Sequence, residues 1–128
     1  VSRNRASAKK AGTSFERLVA DALALALDDD RIDRRPKNGA NDRGDIGGVR
    51  TGRGARLVIE CKDRGGQLFA SEWVREAERE RGNDDALAGL VVAKRRGVAR
   101  PGAQYVIMTL DNLIALLTGE RPADADED

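Results

Sequence analysis

Three acids and a lysine in this chain have the types and spacing to do chemistry: Glu16, Asp45, Glu60 and Lys62. Glu60 and Lys62 stand two residues apart in Ile59-Glu60-Cys61-Lys62, at the end of an alternating apolar run that predicts a strand. They therefore share a strand face, with Cα atoms roughly 6 to 7 Å apart. A carboxylate and an ammonium on a strand whose other face is core are hard to leave without solvent. A divalent metal resolves the difficulty. Glu60 can ligate it, the Cys61 backbone carbonyl can add an oxygen, and Asp45 can reach it from a neighbouring strand. Hard oxygen ligands suit Mg²⁺ or Mn²⁺ and leave positions for water and a phosphate oxygen. Lys62 would then lie beside a metal-bound water and orient it as a nucleophile. A same-face ion pair on an exposed strand is the plainer reading of Glu60 and Lys62. Glu16 also reads two ways. With Thr13 as N-cap it completes a capping box, yet it borders an apolar stripe and can hold the metal directly or through water. The Cys61 side chain alternates to the opposite face and is expected in the core.

Composition removes other chemistries. The 128 residues contain no histidine, which excludes Ser-His-Asp and Cys-His catalysis and any zinc site bearing imidazole. The single cysteine excludes an intrachain disulfide and a cysteine zinc cluster. The 23 basic and 22 acidic side chains nearly cancel, but unevenly. Four acids in residues 122–128 leave a net +5 on residues 1–121, and the first ten residues carry Arg3, Arg5, Lys9 and Lys10 with no acid. Such an arm can touch phosphate while the tail limits non-specific binding. Lys37, Asn38 and Arg43 in a Gly-rich loop, and Lys94, Arg95 and Arg96 in a turn, can reach a phosphate backbone too. Four aromatic residues are too few for a base-stacking platform. No apolar run approaches the ~18 to 20 residues of a bilayer span, and Val1 to Lys10 has no apolar segment behind it. The expected location is the cytoplasm of a prokaryotic or phage-infected cell.

The elements that must position these residues follow from periodicity. Phe15, Leu18, Val19, Ala22, Leu23, Ala26 and Leu27 repeat at helical spacing, predicting a helix over 13–27. Short strands are expected at 31–37 and 44–50, a hairpin turn at 51–54 and the clearest strand at 56–62. A helix over 69–81 has Phe69, Trp73 and Ala77 as its apolar seam and interleaved Glu and Arg outside, read as solvated ion pairs. The run 87–93 predicts a strand buried on both faces, and 104–109 a further strand. Asp111 is the expected cap of a last helix through Leu117, ended by Gly119. The order α-β-β-β-α-β-β-α predicts an α/β fold with a mixed sheet covered by helices. The organisation is a basic arm (1–11), one domain (12–119) and an acidic tail (120–128).

Gly12-x-x-Phe15-Glu16-Arg17-Leu18 on a first helix, Gly44-Asp45-Ile46 after a Gly-rich loop, and Ile59-Glu60-Cys61-Lys62 on a strand resemble the PD-(D/E)XK nuclease superfamily. Within it the chain resembles the archaeal-type Holliday junction resolvases and their phage-encoded relatives, from about Gly12 to Leu117. The resemblance implies a restriction-endonuclease-like mixed sheet flanked by helices. It also implies a Mg²⁺-dependent homodimer that cuts branched DNA in recombination and repair. Asp45 and Glu60 would be metal ligands, Lys62 the catalytic lysine, Glu16 the acid of the first helix, and Arg17 one of the basic side chains facing DNA. Glycine stands before Asp45 where the superfamily motif has proline. A flap or other branched-DNA nuclease, an inactive DNA-binding domain on the same fold, and an RNA substrate remain alternatives.

Overall fold

The computed structural model describes residues 4–37 and 39–123. Arg3, Asn38 and the four acids among residues 124–128 of the C-terminal tail lie outside the described residues. The chain is α/β: a five-stranded mixed sheet flanked by three helices. Helix α1 (Arg5–Ala26) precedes strands β1 (Asp33–Arg34), β2 (Ile46–Gly47) and β3 (Leu57–Lys62). Helix α2 (Ala70–Asp84), β4 (Ala88–Ala93), β5 (Tyr105–Ile107) and α3 (Leu110–Thr118) complete the order. Spatial and sequential strand order coincide, with β3 and β4 parallel and the other neighbours antiparallel. Among the described residues no helix is long and apolar enough to cross a membrane.

Helix α1 begins eight residues earlier than its apolar stripe predicts. Asn4 caps it, its side chain accepting from the Ser7 N–H at 2.8 Å. The added turns, Arg-Ala-Ser-Ala-Lys-Lys-Ala, consist mainly of strong helix formers with no apolar periodicity to announce them. Residues 5–11 are thus the first turns of α1, and their basic side chains project from a helix. Thr13 lies inside the helix, so the expected capping box with Glu16 does not form, and the Glu16 side chain is available elsewhere. Leu27, expected on the stripe, is the C-cap and about half exposed. The last helix is capped by Thr109, not Asp111: the Thr109 hydroxyl accepts from the Asn112 N–H. Gly119 ends it in the left-handed conformation.

Alternation along β3 sorts its side chains between two cores. Ile59, with Leu57 and Cys61 packed nearby, joins Phe15, Val19 and Ala20 of α1 together with Ile32, Ile46, Val49 and Leu90. Trp73 and Ala77 of α2 meet Val91 and Ala93 on the opposite face. Glu60 and Lys62 therefore face α2. Gly89 on β4 allows that helix to lie close: a Cβ there would stand 2.8 Å from the Ala77 carbonyl oxygen. The far end of α2 is clamped to the Gly-rich loop. The Asn83 amide donates to the carbonyls of Ala40 and Asp42 at 3.0 and 2.8 Å. Buried Asp84 lies 3.6 to 3.8 Å from the guanidinium groups of Arg35, Arg43 and Arg56.

The polar face expected of α2 is only partly solvated. Glu80, Arg81 and Asp84 are buried alongside Trp73 and Ala77, because residues 77, 80, 81 and 84 share one side of a 3.6-residue helix.

Candidate metal centre

Asp45 owes its position to the glycine before it. Gly44 has φ +97, and a Cβ there would meet Val58 Cγ1 at 2.9 Å and the Ile59 carbonyl oxygen at 3.0 Å. This close approach allows the Asp45 N–H to donate to the Ile59 carbonyl at 2.8 Å. Proline, fixed near φ −65°, cannot take this conformation, which accounts for glycine at the position. The Asp45 side chain turns inward and is 2 % exposed. One of its oxygens accepts from the Cys61 N–H at 2.8 Å, and the other accepts from Lys37 Nζ.

Lys37 also approaches Glu16 Oε2, at 3.5 Å, so one ammonium bridges the acid of α1 and the acid before β2. Burial opposes the charge on Lys37, but the hydrogen bond to Asp45 and the surrounding acids more than offset it and raise its pKa. The Arg34 guanidinium holds the other Glu16 oxygen at 3.0 to 3.1 Å. Glu16 is itself buried. It faces β1 and the loop, a position open to it because no capping box occupies it.

On the α2 side, Lys62 Nζ lies 3.4 Å from Glu60 Oε2 and donates to Glu76 Oε2 at 2.8 Å. Glu60, Glu76 and Glu80 each bring a carboxylate oxygen within 4.8 Å of the others. Glu60 and Glu80 are almost fully buried, and Glu76 is half-buried. Burial first, then the charge of Asp45 and contact with Glu80, push Glu60 up to about 10 against the pull of Lys62. Burial raises Glu80 as well, assisted by the charges of Glu76 and Asp45. At Glu76 burial works the same way and is the largest single influence, but the hydrogen bond and charge of Lys62, with the Glu60 hydrogen bond and the charge of Arg79, together outweigh it and hold the carboxyl low. The Cys61 thiol packs with the α1 core, and burial pushes its pKa up. It is a core side chain and not a nucleophile.

Glu16 and Asp45 thus gather around Arg34 and Lys37, and Glu60 and Glu76 around Lys62 with Glu80 beside them; among the described residues, Glu60, Glu76 and Glu80 are the acids that form a group of three with oxygens within 4.8 Å of one another. The donor set is all oxygen, suited to a hard divalent cation. Glu80 Oε2 is buried with no hydrogen-bond partner, and Glu60 and Asp45 keep lone pairs for an ion. The residues present fit Mg²⁺ or Mn²⁺. Glu76 and Glu80 were not expected beside Glu60. Their i, i+4 spacing, in phase with Trp73 and Ala77, was the available signal.

The basic side chains expected to meet phosphate divide into two groups. Arg5, Lys9, Lys10 and Arg96 are exposed. Others are engaged within the fold. Arg17 pairs with Asp33 at 2.8 Å and Asp21 at 3.3 Å, Arg43 lies near Asp84, and Lys37 bridges the two acids. Lys94 donates to the carbonyls of Arg95 and Val98 at 2.7 and 2.6 Å, closing the turn after β4. The Arg95 guanidinium stacks 4.7 Å over the Tyr105 ring. An open cleft of about 1080 Å³ begins one residue beyond Lys62. It runs between Asp63–Gln67 and Lys94–Gly97, past Ala8 of α1, with Arg64 and Arg96 in its wall. Comparison of the chain with family models, curated proteins and solved structures finds no match.

Proposed function

We propose that this chain is a divalent-metal-dependent, structure-specific DNA endonuclease of restriction-endonuclease-like architecture, acting on four-way junctions in the manner of the PD-(D/E)XK resolvases it resembles. One observation carries the reading: Glu16 and Asp45 share the Lys37 ammonium, and Asp45 also accepts from the N–H of Cys61, the residue between Glu60 and Lys62. Residues separated by 46 positions in sequence are thereby tied, through Lys37 and the Cys61 N–H, to the stretch that carries Glu60 and Lys62. Asp45 and Glu60 would hold the cation, with Glu16 reaching it directly or through water and the Cys61 carbonyl as a further oxygen. A bound Mg²⁺ supplies charge stabilisation on the phosphate and lowers the pKa of water.

The chain's own groups supply the rest. Lys62, held between Glu60 and Glu76, orients the attacking water. Arg34 and Lys37 pair with Glu16, and Lys37 with Asp45, which fixes the orientation of both carboxylates. Arg64 and Arg96 along the cleft, with Arg5, Lys9 and Lys10 on α1, offer cations to the DNA backbone. A homodimer matches the approximate two-fold symmetry of a junction. The surface that suits it is the edge strand β5 with exposed Val106, continued by Leu110, Leu113 and Leu117 on one side of α3.

The test is cleavage of end-labelled four-way junction, flap and linear duplex DNA in Mg²⁺. Paired symmetric nicks in the junction are expected from wild type, with loss of cutting and retained binding in Asp45→Ala and Lys62→Ala. Normal cutting by either variant overturns the assignment. Flap cleavage alone would move the proposal to the branched-DNA alternative. Salt-sensitive binding without products would favour the inactive binder.

A further inference from the structure

Glu60 on β3 and Glu76 and Glu80 on the facing side of α2 form a group that the Asp45 pocket does not account for. We propose that these three carboxylates bind a divalent cation of the hard, oxygen-preferring class at the β3–α2 seam, in a site that shares only Glu60 with the Asp45 pairing. An ion bonding oxygen at ~2.1 Å holds opposite ligand atoms ~4.2 Å apart, and the three oxygens already lie within 4.8 Å of one another. A small side-chain movement closes the difference.

A second observation points to a ligand. Glu80 is 2 % exposed, and its Oε2 has no hydrogen-bond partner. Leaving a buried acceptor unsatisfied is costly, more so for a charged group, and a cation removes that cost. The distribution of cations agrees. Glu16 has Arg34 and Lys37, and Asp45 has Lys37 and the Cys61 N–H. Three carboxylates on the α2 side have Lys62, which touches Glu76 and Glu60. Access is through Glu76, whose side chain is 29 % exposed. An ion here competes with Lys62 for Glu76 and frees the ammonium to swing toward substrate. That consequence rests on the nuclease reading above, whereas the ion site itself does not.

The probe is Mn²⁺ added to the purified chain, with free ion read by electron paramagnetic resonance and the fold checked by circular dichroism. Glu76→Gln is expected to weaken one bound Mn²⁺ about 10-fold or more, and Glu76→Gln/Glu80→Gln to lose that ion. Glu76 is partly exposed, so the single variant remains informative if the double variant unfolds. A folded Glu76→Gln protein with unchanged stoichiometry and affinity overturns the site. Junction cleavage assayed in parallel separates the two proposals. Wild type that binds this ion but cuts nothing retains the site and defeats the nuclease reading; wild type that cuts, with Mn²⁺ binding untouched in both variants, does the reverse.

Discussion

Replacing Glu60 by glutamine should make the metal-free protein more stable, by an amount that grows with pH. Glu60 keeps its proton in the fold up to about pH 10, whereas an ordinary carboxyl ionises near 4.5. Its folded pKa is raised, so its favourable contribution is fully present below pH 4.5 and is lost as pH climbs toward 10. Each pH unit in that window removes about 1.4 kcal/mol. By pH 8 the accumulated loss would approach roughly 5 kcal/mol if the proton stayed wholly on Glu60. Sharing of charge among Glu60, Glu80 and Lys62 reduces it to an expected ~2 to 3 kcal/mol. Glutamine is neutral throughout and escapes the loss. Its weaker contact with Lys62 gives back about 1 kcal/mol or less. Urea unfolding in EDTA at pH 5, 6.5 and 8 measures the difference. Glu60→Gln should match wild type within about 1 kcal/mol at pH 5 and exceed it by about 2 kcal/mol at pH 8, roughly 6 to 10 °C in melting temperature. Added Mn²⁺ should stabilise wild type at pH 8 and leave the variant almost unmoved. A variant no more stable than wild type at pH 8, or a gap that does not widen with pH, refutes the argument.

Further expectations concern the scaffold. Gly44→Ala places a Cβ against Val58 and the Ile59 carbonyl at φ +97; a loss of about 2 kcal/mol in urea unfolding and weaker Mn²⁺ binding should follow. Gly89→Ala should push α2 away from β4, costing about 1 to 3 kcal/mol and reducing Mn²⁺ affinity without altering any ligand. Lys37→Met removes the ammonium shared by Glu16 and Asp45. Its melting temperature should fall by a similar amount at pH 5 and pH 8, because the raised pKa of Lys37 leaves its contribution complete at any pH below its ordinary 10.5, and Mn²⁺ should restore part of the loss. For the homodimer proposed above, Leu113→Ser/Leu117→Ser should shift sedimentation from dimer to monomer while leaving the circular dichroism spectrum unchanged.

Much of this architecture is legible from residue pattern because local physics sets it. Alternation in 57–62 specifies a strand and sends Cys61 away from Glu60 and Lys62, and the apolar run 88–93 specifies a strand covered on both sides. The order of elements, the inward Phe15 and Val19, and Trp73 and Ala77 against the sheet follow from periods of 2 and 3.6. Reading fails where periodicity is silent. Residues 5–12 are helical through propensity and the Asn4 cap, so α1 starts earlier than its apolar stripe, and Thr13 loses its capping role.

The acidic group on α2 shows the same divide. Composition alone limits the chemistry to oxygen ligands, lysine and arginine, and chain order alone nominates Glu16, Asp45, Glu60 and Lys62. Glu76 and Glu80 sit among arginines on what reads as a solvated face. Only the parallel crossover from β3 to β4, drawn close at Gly89, lays that face over Glu60. Which carboxylate meets which cation is likewise a matter of packing. Lys37 turns back to Asp45 and Glu16, and Lys62 reaches Glu76, because burial leaves each charge few partners within reach. Short-range periodicity is carried by neighbouring residues and can be read along the chain, whereas the company of a buried charge depends on segments that only folding brings together.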